Sequence, residues 1–104
     1  MNIVVLGAGR VGGAIVRDLH TEPSYTITAV DLDPQALLGP ESLGVRTVVS
    51  DLSSPDHVSE AVKDADLVVG CVPGFMGYRT AEVVLGDGKP LVDISFFPED
   101  AFGL

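Results

Sequence analysis

The sequence predicts an α/β fold in which a parallel sheet of about five strands is covered by helices on both faces. Five short apolar runs alternate with helix-like segments, and the first run ends in a cluster of glycines. Strands that alternate with helices are joined by right-handed crossovers, so they lie parallel in one doubly wound sheet.

The five predicted strands are short runs rich in β-branched residues and bounded by turn residues. They are NIVVLG (2–7), YTITAVD (25–31), GVRTVVSD (44–51), ADLVVGCV (65–72) and PLVDIS (90–95).

The four predicted helices lie between these runs. The first contains Val11, Ile15 and Leu19 at helical spacing, and the others cover residues 33–39, 54–64 and 75–86. Asp33 and Ser54 are typical N-caps, each followed by a proline at the first helical position, and Gly86 is a typical stop signal.

Composition limits the classes of function. A chain of 104 residues is long enough for one domain, which we expect to cover residues 1–104. The net charge of −9 and six scattered basic residues argue against nucleic-acid binding. Apolar runs far below about 20 residues exclude a membrane span. A single cysteine suits the cytoplasm, and the two histidines and Cys71 lack the spacing of metal ligands.

The glycine cluster in VVLGAGRVGGAIVRDL (4–19) matches G-x-G-x-x-G between a strand and a helix. This context is typical of the Rossmann-like phosphate loop, where the glycines allow a tight turn and a close approach to a pyrophosphate. The free N–H groups at the start of the helix then bind the phosphates. No Lys-Ser or Lys-Thr follows, which excludes a Walker-type loop. The predicted cofactor-binding residues here are Gly7, Gly9, Arg10, Val11 and Gly12.

Asp31 ends the second predicted strand, nineteen residues after Gly12. A carboxylate there is expected to accept hydrogen bonds from the adenosine ribose and to repel a 2′-phosphate. Leu32 lies beside it, and residues 32–36 contain no Arg or Lys. We therefore predict that the cofactor is NAD rather than NADP. The alternative is that Asp31 serves only as a turn or capping residue.

Two other strand ends belong to the same predicted site, because ligands bind beyond the carboxyl ends of the strands. Asp51 and Leu52 are expected to flank the adenine. Val72, Pro73 and Gly74 are expected to pass the pyrophosphate and the nicotinamide ribose. An ordinary turn role remains the alternative for Asp51.

The end of the fifth strand offers the substrate-side candidates Asp93 and Ser95, with Tyr78 and Arg79 as further residues that border the pocket. Capping, solvation or packing is the alternative for all four. No nucleophile–base pair is visible, which suits an enzyme whose cofactor carries the chemistry and equally suits a domain without chemistry.

Three stretches, GAGRVG, DLSSPDHVSEAVKDADLVVGCVPGFMG and LVDISFFPED, resemble the N-terminal NAD-binding region of saccharopine-dehydrogenase-like enzymes. Within that family the resemblance is greatest to the lysine 6-dehydrogenase group. The most specific part is PGF followed about twenty residues later by VDISFFPED. The resemblance implies NAD-dependent hydride transfer from the amine-bearing carbon of an amino acid, in lysine metabolism.

Enzymes of this family carry a further substrate and dimerisation domain. The resemblance therefore implies that residues 1–104 are the N-terminal part of a longer dehydrogenase, inactive without that domain, which the amino-acid substrate also requires. Phe96, Phe97 and Phe102 crowd near the end of the sequence. We expect a partner chain in a homodimer to cover them.

A second resemblance remains open. The glycine loop followed by VDLDP (30–34) is similar to the regulatory nucleotide-binding domains of potassium transport systems, although the similarity stops near residue 50. That alternative implies a stand-alone sensor that binds NAD or ATP and transmits a conformational change. A third option is a fold that has kept the motif and lost binding.

Overall fold

The computed structural model describes residues 1–94, and over that range it contains a five-stranded sheet. The strands are β1 Asn2–Leu6, β2 Thr26–Asp31, β3 Arg46–Val49, β4 Leu67–Gly70 and β5 Leu91–Asp93. The helices are α1 Arg10–Leu19, α2 Leu38–Ser42, α3 Pro55–Val62 and α4 Gly74–Gly86, and a 3₁₀ helix covers Pro34–Leu37.

The strands are parallel and lie in the order β3-β2-β1-β4-β5. The predicted Rossmann-like, doubly wound sheet is therefore confirmed. Leu6 is in register with Val30 on one side and with Gly70 on the other. The central strands consequently end at one level, and the loops that follow β1, β2 and β4 meet at one edge.

Each face of the sheet has its own apolar core. Val4 and Leu6 of β1 pack with Val58, Val62 and Val84 from α3 and α4. The alternate residues of β1 pack on the opposite face with α1 and the 3₁₀ helix; this second core includes Ile3, Val5, Val16 and Leu37. Because helices cover both faces, four successive residues of β1 are buried, as expected for the centre of a parallel sheet.

Several predicted boundaries differ from the structure at element ends. The segment 33–39 is not one helix, because the 3₁₀ helix gives way to α2 at Leu38. Asp33 caps that turn by accepting the N–H of Gln35 at 2.9 Å, as predicted. Ser54 occupies the N-cap of α3 but makes no side-chain capping bond. The strands are shorter than the apolar runs, since pairing stops where the chain turns at positions such as Gly44, with φ +80°.

Candidate functional site

The candidate site is a crevice at the carboxyl edge of the sheet between β1 and β4. The loop after β1 leads to α1 on one face, and the loop after β4 leads to α4 on the other. Such a divergence of neighbouring loops is the usual ligand-binding position of an open α/β sheet.

Gly7 and Gly12 are required by the fold itself. Gly7 has φ +93°, and a Cβ there would lie 3.0 Å from the backbone carbonyl of Cys71. A Cβ on Gly12 would lie 1.9 Å from the carbonyl oxygen of Gly7. The first turn of α1 therefore packs directly on the loop and the end of β4, at a distance that only glycine permits.

Gly9 differs from its two neighbours. Its φ of −69° is open to any residue, and a Cβ at this position would have no atom within 4 Å. Neither backbone strain nor packing among residues 1–94 thus demands glycine here. Gly9 is also exposed, so a ligand can approach its main chain.

The start of α1 is electropositive. The first N–H groups of a helix have no intrahelical partner, and here they belong to Arg10, Val11 and Gly12. The next N–H, that of Gly13, donates to the carbonyl of Gly9 at 2.7 Å. The first turn contains no acidic residue, and the Arg10 side chain is exposed. This end of the helix can therefore bind an anion through the main chain and the guanidinium.

Asp31 lies at the carboxyl edge as predicted, but both its oxygens accept hydrogen bonds from backbone amides. Oδ2 accepts the N–H of Ala8 in the glycine loop at 2.8 Å, and Oδ1 accepts the N–H of Asp33 at 2.9 Å. The neighbouring Leu32 is exposed. Both oxygens of the carboxylate are thus hydrogen-bonded within the protein.

The loop after β3 contains Asp51 and Leu52. One oxygen of Asp51 accepts both the hydroxyl of Ser53 at 2.6 Å and its N–H at 2.9 Å, and these bonds hold the pKa of the carboxyl below its ordinary value. Leu52 is buried in the core beneath α3 and α4, so its side chain faces inward. His57, in the first turn of α3, contacts the carbonyl of Asp51 through Nδ1 at 3.1 Å.

The loop after β4 contains the predicted residues Val72, Pro73 and Gly74. Val72 is buried, whereas Pro73 and Gly74 are exposed and begin α4. Gly74 has φ +69°, a conformation that favours glycine. Phe75 follows with 75% of its surface exposed, and it borders a cleft of about 410 Å³ between α3 and α4.

Asp93, the described member of the substrate-side pair, lies next to the end of β4. Its Oδ1 would be 3.1 Å from a Cβ placed on Gly70. Burial, together with the Asp93 charge, raises the pKa of the Cys71 thiol to about 12, which makes it a poor nucleophile. Ser95 and the terminal phenylalanines lie outside the described residues.

Within residues 1–94, no group of three or more His, Cys, Asp or Glu side chains is arranged to hold a metal ion. Over the same range, none of the helices has the length and apolar character needed to cross a membrane.

The family comparison decides the classification. The model of the saccharopine dehydrogenase NADP-binding domain matches residues 3–102. The chain belongs to this family. It is a nucleotide-binding oxidoreductase domain, and the resemblance noted in the sequence is confirmed. The match also covers the part after residue 50, where the resemblance to transport-system sensors stops. No curated protein matches the sequence significantly.

Solved structures show the same fold at low identity. Apo saccharopine dehydrogenase (L-Glu forming) from Saccharomyces cerevisiae is 16% identical with a TM-score of 0.81; the alignment covers 99% of this chain and 23% of that one. Triphenylmethane reductase from Citrobacter sp., complexed with NADP(H), is 17% identical with a TM-score of 0.73 over 89% of this chain and 36% of that one. UDP-glucuronic acid 4-epimerase from Bacillus cereus, in complex with NAD, is 18% identical with a TM-score of 0.65; the alignment covers 89% of this chain and 39% of that one.

The prediction of NAD over NADP is wrong. The family is defined by an NADP-binding domain, and the structural neighbours include an NADP(H) complex. The prediction assumed that Asp31 points a free carboxylate at the ribose, whereas that carboxylate accepts two backbone N–H groups. It also sought a cation for the 2′-phosphate only in residues 32–36, although Arg10 was among the predicted cofactor-binding residues.

Proposed function

We propose that this chain is the NADP-binding domain of a longer saccharopine-dehydrogenase-like oxidoreductase. The chain spans 23% of the yeast saccharopine dehydrogenase that it matches, which supports a further substrate-binding part. NADP⁺ supplies the hydride acceptor when bound. The residues of this chain bind it, orient it and keep its nicotinamide at the crevice between β1 and β4.

Gly9 carries this proposal. Gly7 and Gly12 are explained by backbone conformation and packing, so they alone would fit a merely structural turn. Gly9 has no such explanation within the described chain. A pyrophosphate against the main chain accounts for it, because a Cβ would occupy the space that the phosphate oxygens need. The N–H groups of Arg10, Val11 and Gly12, which begin α1, would then donate to those oxygens.

Arg10 is the proposed partner of the 2′-phosphate. All six Lys and Arg residues lie within the described range, and Arg10 is the one in the glycine loop. Lys63 and Lys89 lie away from it, since Lys89 Nζ donates to the carbonyls of Lys63 and Ala65 near the start of β4. A guanidinium is suited to phosphate because its N–H groups can form paired, charge-assisted hydrogen bonds.

The other proposed cofactor contacts follow the strand ends. The loop at Asp51 and Leu52 would border the adenine, and Val72, Pro73 and Gly74 would border the pyrophosphate and the nicotinamide ribose. The inward side chain of Leu52 means that its main chain would line the adenine site. Leu32 would lie at the ribose end.

On the substrate side, we propose a lysine 6-dehydrogenase-type reaction, in which a hydride leaves the amine-bearing carbon of lysine. The LVDISFFPED stretch supports this, together with Asp93 at the crevice. The amino acid would be held mainly by the part of the enzyme beyond this domain. We therefore expect no turnover of lysine by the 104-residue chain. Separately, we expect the chain to form a homodimer, which light scattering would detect.

The test uses two matched glycine-to-alanine changes. Gly9→Ala and Gly39→Ala both add a methyl group where no atom lies within 4 Å, but Gly39 lies in α2, outside the crevice. We expect Gly39→Ala to raise the free energy of unfolding by up to about 1 kcal/mol, because alanine is the better helix former, and Gly9→Ala to lower it by up to about 1 kcal/mol, because alanine is a poorer N-cap; neither change unfolds the domain. Calorimetric titration with NADP⁺ should show at least a roughly tenfold loss for Gly9→Ala, equal to about 1.4 kcal/mol, and none for Gly39→Ala. Unchanged NADP⁺ binding by Gly9→Ala would refute the proposed site.

A further inference from the structure

We infer that Asp31 is a positioning residue, which holds the glycine loop in the shape that binds phosphate. This inference rests on the proposed NADP site and assigns Asp31 a role other than ribose recognition. It predicts that Asp31 contributes to the affinity for NADP⁺ and NAD⁺ alike and does not select between them.

The evidence is the pair of backbone hydrogen bonds. Oδ2 of Asp31 accepts the N–H of Ala8 at 2.8 Å across 23 residues of sequence, and Oδ1 accepts the N–H of Asp33 at 2.9 Å. One carboxylate therefore joins the loop after β1 to the turn after β2. Both contacts have the length typical of charge-assisted hydrogen bonds.

Ala8 has no evident substitute for this acceptor. The residue is 4% exposed in the intact domain, and among residues 1–94 its N–H donates to the Asp31 carboxylate. A buried donor without a partner is unfavourable, and the loop would rearrange to satisfy it. The preceding N–H, that of Gly7, donates to the carbonyl of Val30 at 2.7 Å. Two successive N–H groups of the loop are thus held by the end of β2.

This arrangement determines which N–H groups a phosphate can reach. The N–H groups of Gly7 and Ala8 are already bonded to the end of β2. The N–H groups that begin α1 have no intrahelical acceptor and can donate to a ligand. If Ala8 is released, the loop that supports Gly9 loses its anchor. The affinity for the pyrophosphate, which both dinucleotides share, should then fall.

The role also agrees with a cofactor that carries a 2′-phosphate. A carboxylate whose oxygens are free would repel that phosphate, but both oxygens of Asp31 are turned to N–H donors of the protein's own backbone. An acidic residue at the end of β2 is therefore compatible with NADP when its carboxylate is hydrogen-bonded to the backbone of the glycine loop.

The experiment compares Asp31→Ala, Asp31→Asn and the control Asp33→Ala in the complete chain. Asp33 is the neighbouring carboxylate; it accepts the N–H of Gln35 and caps the 3₁₀ helix. Each variant is titrated with NADP⁺ and, separately, with NAD⁺. Amide hydrogen exchange at Ala8 is followed by NMR, with the Gly7 amide as an internal reference on the same loop.

We expect Asp31→Ala to weaken both dinucleotides by about tenfold, with their ratio unchanged. Asp31→Asn should be milder, because its amide oxygen can still accept the Ala8 N–H although the charge is gone. Exchange at Ala8 should accelerate in both variants relative to Gly7, and Asp33→Ala should match the parent. A fold that merely loses stability would leave the Kd of the folded molecules unchanged.

Other outcomes overturn the inference. If Asn and Ala raise the ratio of NADP⁺ to NAD⁺ affinity equally, Asp31 acts through its charge on the ribose end. If Ala8 exchanges freely in the parent chain, the proposed anchor does not exist. Should the parent bind neither dinucleotide, the proposed function fails, and the Ala8 exchange rates of the parent and of Asp31→Asn still decide whether Asp31 holds the loop.

Discussion

Adding one methyl group at Gly12 tests how closely α1 is packed on the sheet. In Gly12→Ala, the new Cβ would lie 1.9 Å from the carbonyl oxygen of Gly7 and 3.3 Å from Cβ of Cys71. The nearer atom belongs to the main chain, which cannot rotate away as a side chain can. The helix or the loop must therefore move by about 1 Å before the contact becomes tolerable.

The magnitude follows from two opposing effects. Overpacking in a close-packed interior costs about 1–3 kcal/mol, and a clash with backbone belongs at the upper end. Replacing glycine with alanine inside a helix raises the free energy of unfolding by about 1 kcal/mol, because alanine has the higher helix propensity. We expect Gly12→Ala to lower the free energy of unfolding by about 2 kcal/mol, a large part of the stability of a small domain.

The adjacent Gly13→Ala is the matched control. Its Cβ would lie 3.5 Å from the carbonyl oxygen of Ala8, an ordinary contact, so only the favourable propensity effect remains. Urea unfolding followed by circular dichroism should place the two variants on opposite sides of the parent, with midpoints separated by roughly 1–3 M. Equal midpoints for the two variants would refute the packing argument. Gly12→Ala should also bind NADP⁺ more weakly, since its α1 is displaced.

Three further changes test other parts of the structure. Arg10→Gln should weaken NADP⁺ by about tenfold and NAD⁺ much less, because one charge-assisted phosphate contact is lost; equal losses in the two titrations would contradict the 2′-phosphate assignment. Thr80→Val should raise the free energy of unfolding by about 1 kcal/mol, since the Thr80 hydroxyl is buried without a hydrogen-bond partner within residues 1–94; a lower urea midpoint would contradict this. Burial and the Asp93 charge raise the pKa of the Cys71 thiol to about 12, so the folded state favours the neutral thiol. This contribution to the free energy of unfolding is complete below the pKa of the unfolded thiol and is lost as pH rises toward 12. Alkaline unfolding should therefore begin at higher pH in Cys71→Ala, and the native thiol should react slowly with a disulfide reagent at pH 8 compared with the unfolded chain.

The architecture could be predicted from the sequence because its signals are local. The GAGRVG loop lies between an alternating run and a helical one, and each of these patterns has one favoured structure. The strand ends then follow from topology, which placed Asp51, Pro73 and Asp93 at one edge. Helix caps were less predictable: Asp33 has a backbone N–H within reach two residues on, whereas Ser54 does not use its hydroxyl in this way.

The function of Asp31 could not be predicted from local signals. Its decisive partner, the N–H of Ala8, is 23 residues away and comes within reach only when β1 and β2 pair. The spacing from the glycine loop is the same whether the carboxylate faces a ribose or the protein's own main chain. Cofactor preference is a small difference between two similar ligands, so one misplaced hydrogen-bond partner is enough to reverse the prediction.

Gly70 and Asp93 are register partners on the neighbouring strands β4 and β5, and their side-chain positions share one volume. Oδ1 of Asp93 would lie 3.1 Å from a Cβ at this position, so the carboxylate occupies part of the space that any larger residue would claim. Residues 70 and 93 therefore form a complementary pair: a side chain at position 70 would require a shorter or differently directed residue at position 93. Substitutions at position 93 are accordingly limited by the residue that stands beside it on β4.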